Sequence, residues 1–155
     1  MRYSVDTSVL IEGWRRLYPP DVIPDLWQAI DDLIRNGHLR ASEEVLHDLE
    51  RKDDEVLEWA RGRPAFFMPI DGGIQDIVRE ILRDHPRLIY TRSNRSSSDP
   101  FVIALAHQHN ATVLTEEQAT GRAIRPKIPD VCAAYGIPHD NLLGLIRREG
   151  WVFRR

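Results

Sequence analysis

The sequence predicts an α/β domain around a mainly parallel sheet, and three observations carry that prediction. Short β-branched or apolar runs (Tyr3-Ser4-Val5, Leu39 to Ala41, Phe66-Phe67-Met68, Thr112 to Thr115) alternate with longer stretches of helical periodicity. One helical stretch is apolar on nearly all sides from Phe101 to Ala106, as a helix buried against a sheet must be. Two of the short runs lead straight into carboxylates, Val5 into Asp6 and Thr115 into Glu116-Glu117.

Taken in order, Tyr3 to Val5 reads as a buried strand, and Thr7 to Leu17 as a helix closed by Tyr18-Pro19-Pro20. Leu26, Ile30, Leu33 and Ile34 stand at helical spacing before the Asn36-Gly37 stop. Ser42 is a favourable N-cap for the stripe Val45, Leu46 and Leu49. The charged run Arg51 to Glu58 reads as a solvated face. Gly72-Gly73 reads as a turn, and Ile74 to Leu82 as an amphipathic helix ending near His85-Pro86. A polar loop, Thr91 to Ser98, precedes the buried helix that Asp99-Pro100 opens, and a last helix is expected from about Asp140 to Arg148.

With 155 residues, 42% of them apolar, the chain suffices for one domain spanning 1–155 but hardly for two. Its longest apolar run is Phe101 to Ala106, far short of the roughly 20 residues of a membrane span. No apolar leader precedes Asp6, and the single cysteine, Cys132, excludes an intrachain disulfide framework. The expectation is a cytoplasmic protein without membrane contact. The net charge of −3 neither requires nor forbids a nucleic-acid partner. The six histidines include no pair at i+3 or i+4, which disfavours a helix-borne zinc site. Cys132, between Val131 and Ala133, reads as a core residue.

Chemistry concentrates in the acids. In open α/β sheets, ligands bind beyond the C-terminal ends of the strands, where Asp6, Glu116 and Glu117 would meet. Asp99 stands at the start of the most buried helix, and Asp48 and Glu44 share a face of the helix behind Ser42. Carboxylates gathered in one cleft stay ionised only with positive charge among them, and an all-oxygen cage suits Mg²⁺ or Mn²⁺. Each acid also has a plainer reading: Asp6 and Asp99 as N-caps, Asp48 as a solvated charge, Glu116 and Glu117 as turn residues. Arg92, Arg95, Arg122, Arg125 and Lys127 flank the acids and suit a phosphodiester backbone. Asp130 has two readings, an addition to the acidic pocket or a cap after Pro129.

These residues resemble a PIN domain, the fold of many Mg²⁺-dependent ribonucleases and of VapC-type toxins. Tyr3-Ser4-Val5-Asp6-Thr7-Ser8-Val9-Leu10-Ile11 resembles its first strand and D-T-[NS]-x-L-I turn, and Ser42-Glu43-Glu44-Val45-Leu46-His47-Asp48-Leu49 its acid-bearing helix. Asp99-Pro100-Phe101-Val102-Ile103-Ala104-Leu105-Ala106 resembles the D-x-x-I-A-x-A helix, and Val113-Leu114-Thr115-Glu116-Glu117 the strand ending T-x-D. The chain departs from the pattern in carrying aspartate at 48 and glutamate at 117. Trp14, Tyr18-Pro19-Pro20-Asp21, the segment Lys127 to Cys132, and Gly150-Trp151 are similar to marks of a PIN-like subgroup whose members read as toxins.

The resemblance implies a three-layer α/β/α PIN-like fold with a short central sheet. It implies catalytic acids Asp6, Asp48, Asp99 and Glu117, with metal ligation by Asp6, Asp99 and Glu117. Ser8 would tie down Asp6 by a hydrogen bond, with Glu44 and Glu116 in support. The implied activity is endoribonuclease hydrolysis with Mg²⁺ or Mn²⁺, leaving a 5′-phosphate and a 3′-hydroxyl, as the toxin of a toxin–antitoxin pair. A cognate antitoxin and a homodimer are the implied protein partners. Two alternatives stand beside it: a catalytically weak or inactive RNA- or protein-binding module, and a receiver-like phosphorelay module with its acceptor in Asp53-Asp54-Glu55.

Overall fold

The computed structural model describes residues 1–88, 97–122 and 126–154. Five strands form one parallel sheet: β1 (Tyr3–Val5), β2 (Leu39–Ser42), β3 (Phe67–Met68), β4 (Thr112–Leu114) and β5 (His139–Asp140). Their order is β3-β2-β1-β4-β5, so the chain builds outward from β1 to one edge and then crosses back to build the other half. That reversal lies between β1 and β4, the place where open α/β sheets bind ligands beyond the C-terminal ends of their strands.

Eight α-helices occur among the described residues: α1 (Thr7–Glu12), α2 (Pro24–Arg35), α3 (Glu43–Lys52), α4 (Asp54–Arg61), α5 (Gly72–Asp84), α6 (Asp99–His109), α7 (Ile128–Tyr135) and α8 (Leu142–Glu149). The helices cover both sides of the sheet and give a three-layer α/β/α architecture. Helix α6 packs across β1, β2 and β4 with α5 and α7 against it, while α2 and α3 pack on β2. Contacts on so many sides explain why α6 lacks a polar stripe: Val102, Ile103, Ala104, Leu105 and Ala106 are all buried. Ser4 Oγ, buried in the sheet, donates to the Val102 carbonyl at 2.8 Å and fixes α6 on β1.

Four local expectations are corrected. The Arg51 to Glu58 run is not simply a solvated face: Asp53 accepts from the Val56 N–H at 3.1 Å, caps a separate helix α4 and binds Arg15. Asp53 is thereby committed to a cap rather than to a strand end, where a receiver needs its acceptor. Gly72-Gly73 is the first turn of α5 rather than a loop, because Asp71 accepts from the Ile74 N–H at 2.8 Å and starts the helix earlier. Asp140 belongs to β5, a strand too short to show periodicity, and Asn141 caps α8. At the start of α6 the N-cap position falls to Ser98, and Asp99 is already inside the helix with Pro100 behind it.

The aromatic residues have a packing role. Trp14, on the π-helical continuation of α1 (Gly13–Leu17), meets Trp27 edge-on at 5.0 Å between centroids, and Trp59 meets Trp27 at 5.5 Å and Phe66 at 5.9 Å. Trp27 Nε1 donates to the Tyr18 carbonyl at 2.7 Å, so the chain turning at Pro19-Pro20 is held by the same cluster. Among the described residues no helix is long and apolar enough to cross a membrane.

Candidate metal centre

Asp6 follows β1 directly, and its N–H extends the ladder to the Leu114 carbonyl at 2.8 Å. It holds the N-cap position of α1, yet its side chain makes no cap hydrogen bond. Instead Oδ2 accepts from Ser8 Oγ at 2.5 Å and from Thr115 Oγ1 at 3.0 Å, which aims the carboxylate across the β1–β4 junction. The plain reading of Asp6 as a side-chain cap is therefore corrected. Burial raises its carboxyl most, with the charges of Glu117 and Asp48 adding to it, while the two hydroxyl donors pull it down; the balance stands at about 6.

Asp48 sits on α3 with its side chain fully buried, so it is not a solvated charge. Thr7 Oγ1 donates to Oδ2 at 3.2 Å, and Arg51 Nη2 to Oδ1 at 2.5 Å. Glu44, one turn earlier, is half-buried and turned to His47 Nδ1 at 3.3 Å. Of the two candidate acids on α3, Asp48 is thus the one whose charge reaches Asp6 and Asp99.

Asp99 is 1% exposed, and its Oδ1 has no hydrogen-bond partner. Burial, then the charges of Asp6, Glu117 and Asp48, push its carboxyl well above the usual carboxylate range, against the charge of Lys52. The start of α6 offers some compensation through the helix dipole. An orphaned buried carboxylate oxygen facing three further acids is costly in the absence of a cation.

Glu117 follows β4, and Thr115 Oγ1 accepts from its N–H at 3.1 Å. Its own Oε2 accepts from Ile128 N–H at 3.1 Å, at the start of α7. Glu116 Oε1 accepts from the Leu142 N–H at 2.8 Å, while its backbone N–H donates to Ser8 Oγ at 3.0 Å. Both glutamates therefore tie the end of β4 to following helices, which is more than turn residues do. Cys132 lies buried in the same neighbourhood, and burial with the charges of Asp6 and Glu117 pushes its thiol up to about 12, far from a thiolate ligand. Asp130 binds the N–H groups of Lys127, Thr120 and Gly121 at 2.8, 3.0 and 2.9 Å, so the capping reading holds.

The donor set fits a hard divalent cation in kind: carboxylates and hydroxyls, with a buried oxygen awaiting a partner at Asp99. Among the described residues, however, no three His, Cys, Asp or Glu side chains are already gathered into a metal-holding group. Asp48 is turned to Arg51 and Glu117 to the start of α7. Of the basic residues, Arg122 is exposed and Lys127 half-buried beside Ile128, whose N–H binds Glu117. Arg92, Arg95 and Arg125 lie outside the described residues. Sequence reasoning missed Thr7, Thr115 Oγ1, Lys52 and Arg51; the i, i+3 spacing of Asp48 and Arg51 was the available signal.

Thr115→Val is expected to raise the Asp6 titration above about 6, since a hydrogen bond to the charged form is lost. Carboxyl-carbon NMR titration checks this, and an unchanged midpoint contradicts the assigned role of Thr115.

A family model described as a domain of unknown function, DUF4411, matches residues 3–153. The chain belongs to the DUF4411 family. This DUF4411 chain is also similar to a chain in the crystal structure of VapBC2 from Rickettsia felis bound to a DNA fragment from their promoter. The TM-score is 0.52 at 16% identity, covering 91% of this chain and 98% of that one. The likeness shows the fold: the DUF4411 chain has a three-layer α/β/α, PIN-like fold. Comparison with curated proteins gives no match.

Proposed function

We propose that this protein is a Mg²⁺- or Mn²⁺-dependent endoribonuclease, a cytoplasmic toxin restrained by a cognate antitoxin, with the activity carried by a single domain spanning 1–155. The observation that carries the reading is the partnerless, buried Asp99 Oδ1 set among the charges of Asp6, Asp48 and Glu117. Asp6, Asp99 and Glu117 would hold the ion, with Asp48 as the fourth acid. When bound, a divalent cation supplies Lewis acidity toward a phosphate oxygen and makes water a stronger nucleophile at neutral pH.

The chain's own residues do the rest. Ser8 and Thr115 hold Asp6 in one rotamer and favour its ionised form. Thr7 orients Asp48. Arg122 and Lys127, with Arg92, Arg95 and Arg125, would bind phosphates flanking the scissile bond, setting the strand's position without reading its bases. A second copy of the chain is a further partner within this proposal. That no metal-holding group is preformed among the described residues favours one competing reading, an RNA- or protein-binding module without catalysis.

Incubation with RNA and Mn²⁺ separates the two. The expected result is internal cleavage leaving 5′-phosphates, abolished by a chelator and restored by added ion. Chelator-insensitive cleavage, or RNA bound but left intact, contradicts the nuclease reading.

A further inference from the structure

We propose that Arg51 is a built-in competitor for the divalent cation: its guanidinium holds Asp48 in the ion-free chain and must release it before the acid centre closes around an ion. The inference rests on the reading of these acids as a metal centre, and adds to it a residue that governs how tightly the ion is held.

The geometry is specific. Arg51 lies one turn beyond Asp48 on α3, and a single nitrogen, Nη2, donates both to Asp48 Oδ1 at 2.5 Å and to Ser97 Oγ at 3.2 Å. Ser97 stands two residues before Asp99, so this nitrogen bridges the two segments that carry Asp48 and Asp99. Asp48 is completely buried, whereas the Arg51 side chain is 60% exposed. The cation therefore reaches in from solvent, and swinging it out exposes no core.

The Arg15–Asp53 pair shows the contrast. There two nitrogens, Nε and Nη2, grip both carboxylate oxygens at 2.7 and 2.9 Å, the geometry of a fixed fork. Arg51 holds one oxygen of Asp48 with one nitrogen, and the other oxygen accepts from the neutral hydroxyl of Thr7. A guanidinium so placed neutralises the buried charge of Asp48 while no ion is present and remains exchangeable. Lys52, the next residue, is exposed and acts on Asp99 through its charge alone, which makes it an internal control.

Calorimetric titration with Mn²⁺ of the wild type, Arg51→Gln and Lys52→Gln tests this. Removing an exchangeable, half-exposed ion pair is expected to tighten Mn²⁺ binding by roughly five- to tenfold in Arg51→Gln, against about twofold in Lys52→Gln. In urea the ion-free Arg51→Gln protein is expected to unfold more readily than wild type, and saturating Mn²⁺ to erase that deficit. A merely structural Arg51 leaves the deficit unchanged by the ion. Equal gains in the two variants, or unchanged or weaker affinity in Arg51→Gln, overturn the proposal while leaving the metal centre intact. Absence of binding in all three proteins overturns both. Should Arg51→Gln not fold, Ser97→Ala removes one acceptor of the same nitrogen; roughly twofold tightening supports the proposal and unchanged affinity overturns it.

Discussion

Asp99→Asn is expected to abolish ion-dependent RNA cleavage while making the ion-free protein more stable at neutral pH. Both halves follow from one feature, a buried carboxylate oxygen without a partner beside other acids. Loss of a cation holder removes several kcal/mol of transition-state stabilisation, which corresponds to roughly 10²- to 10⁴-fold in rate.

The stability half has a definite sign. In the folded chain the carboxyls of Asp99 and Asp6 are raised, so folding favours their protonated forms. The resulting stability is complete below the ordinary carboxylate value and is lost as pH rises through the folded value, about 6 for Asp6. For Asp6, a rise from 3.8 to about 6 corresponds to roughly 3 kcal/mol lost by neutral pH. An amide escapes that loss but must place its own N–H groups, so a gain in stability is expected for Asp99→Asn near pH 7.5. The gain should vanish near pH 4, about where the acid is protonated anyway. Urea melts at the two pH values measure it. Full cleavage activity, or a variant less stable than wild type near neutrality, contradicts the account.

Much of the fold was legible because its signals are local. The strand of Tyr3 to Val5, the cap at Ser42 and the wholly apolar face of Phe101 to Ala106 each report burial or a helix end within a few residues. What escaped was set by partners distant in sequence or by very short elements. Strand β5 has two residues and exists because Val113 and Leu114 offer it an edge. Helix α4 was hidden in a charged run because its apolar side, Val56, Leu57 and Ala60, is interleaved with surface charges.

The acids were legible as candidates but not in their roles. Nothing near Asp6 in sequence announces Thr115, 109 residues away, as the donor that keeps its carboxylate from capping α1. Asp48 had two readings, a catalytic acid and a solvated charge; the fold buries it against Thr7 and Arg51. Glu44, equally plausible on the helix face, turns instead to His47.

The central claim, that these acids hold a divalent ion, is tested most directly by melting the protein in a Mn²⁺ series near pH 7.5 and again near pH 5. At about 100-fold excess over its dissociation constant, a bound ion adds roughly 2.7 kcal/mol, which for a chain of this size is about 5–10 °C. Because Asp6 takes up a proton near 6, the gain should shrink markedly at the lower pH, and it should be lost in Asp6→Asn and Asp99→Asn. A melting temperature indifferent to Mn²⁺ at both pH values, or raised equally in the two Asn variants, contradicts the claim.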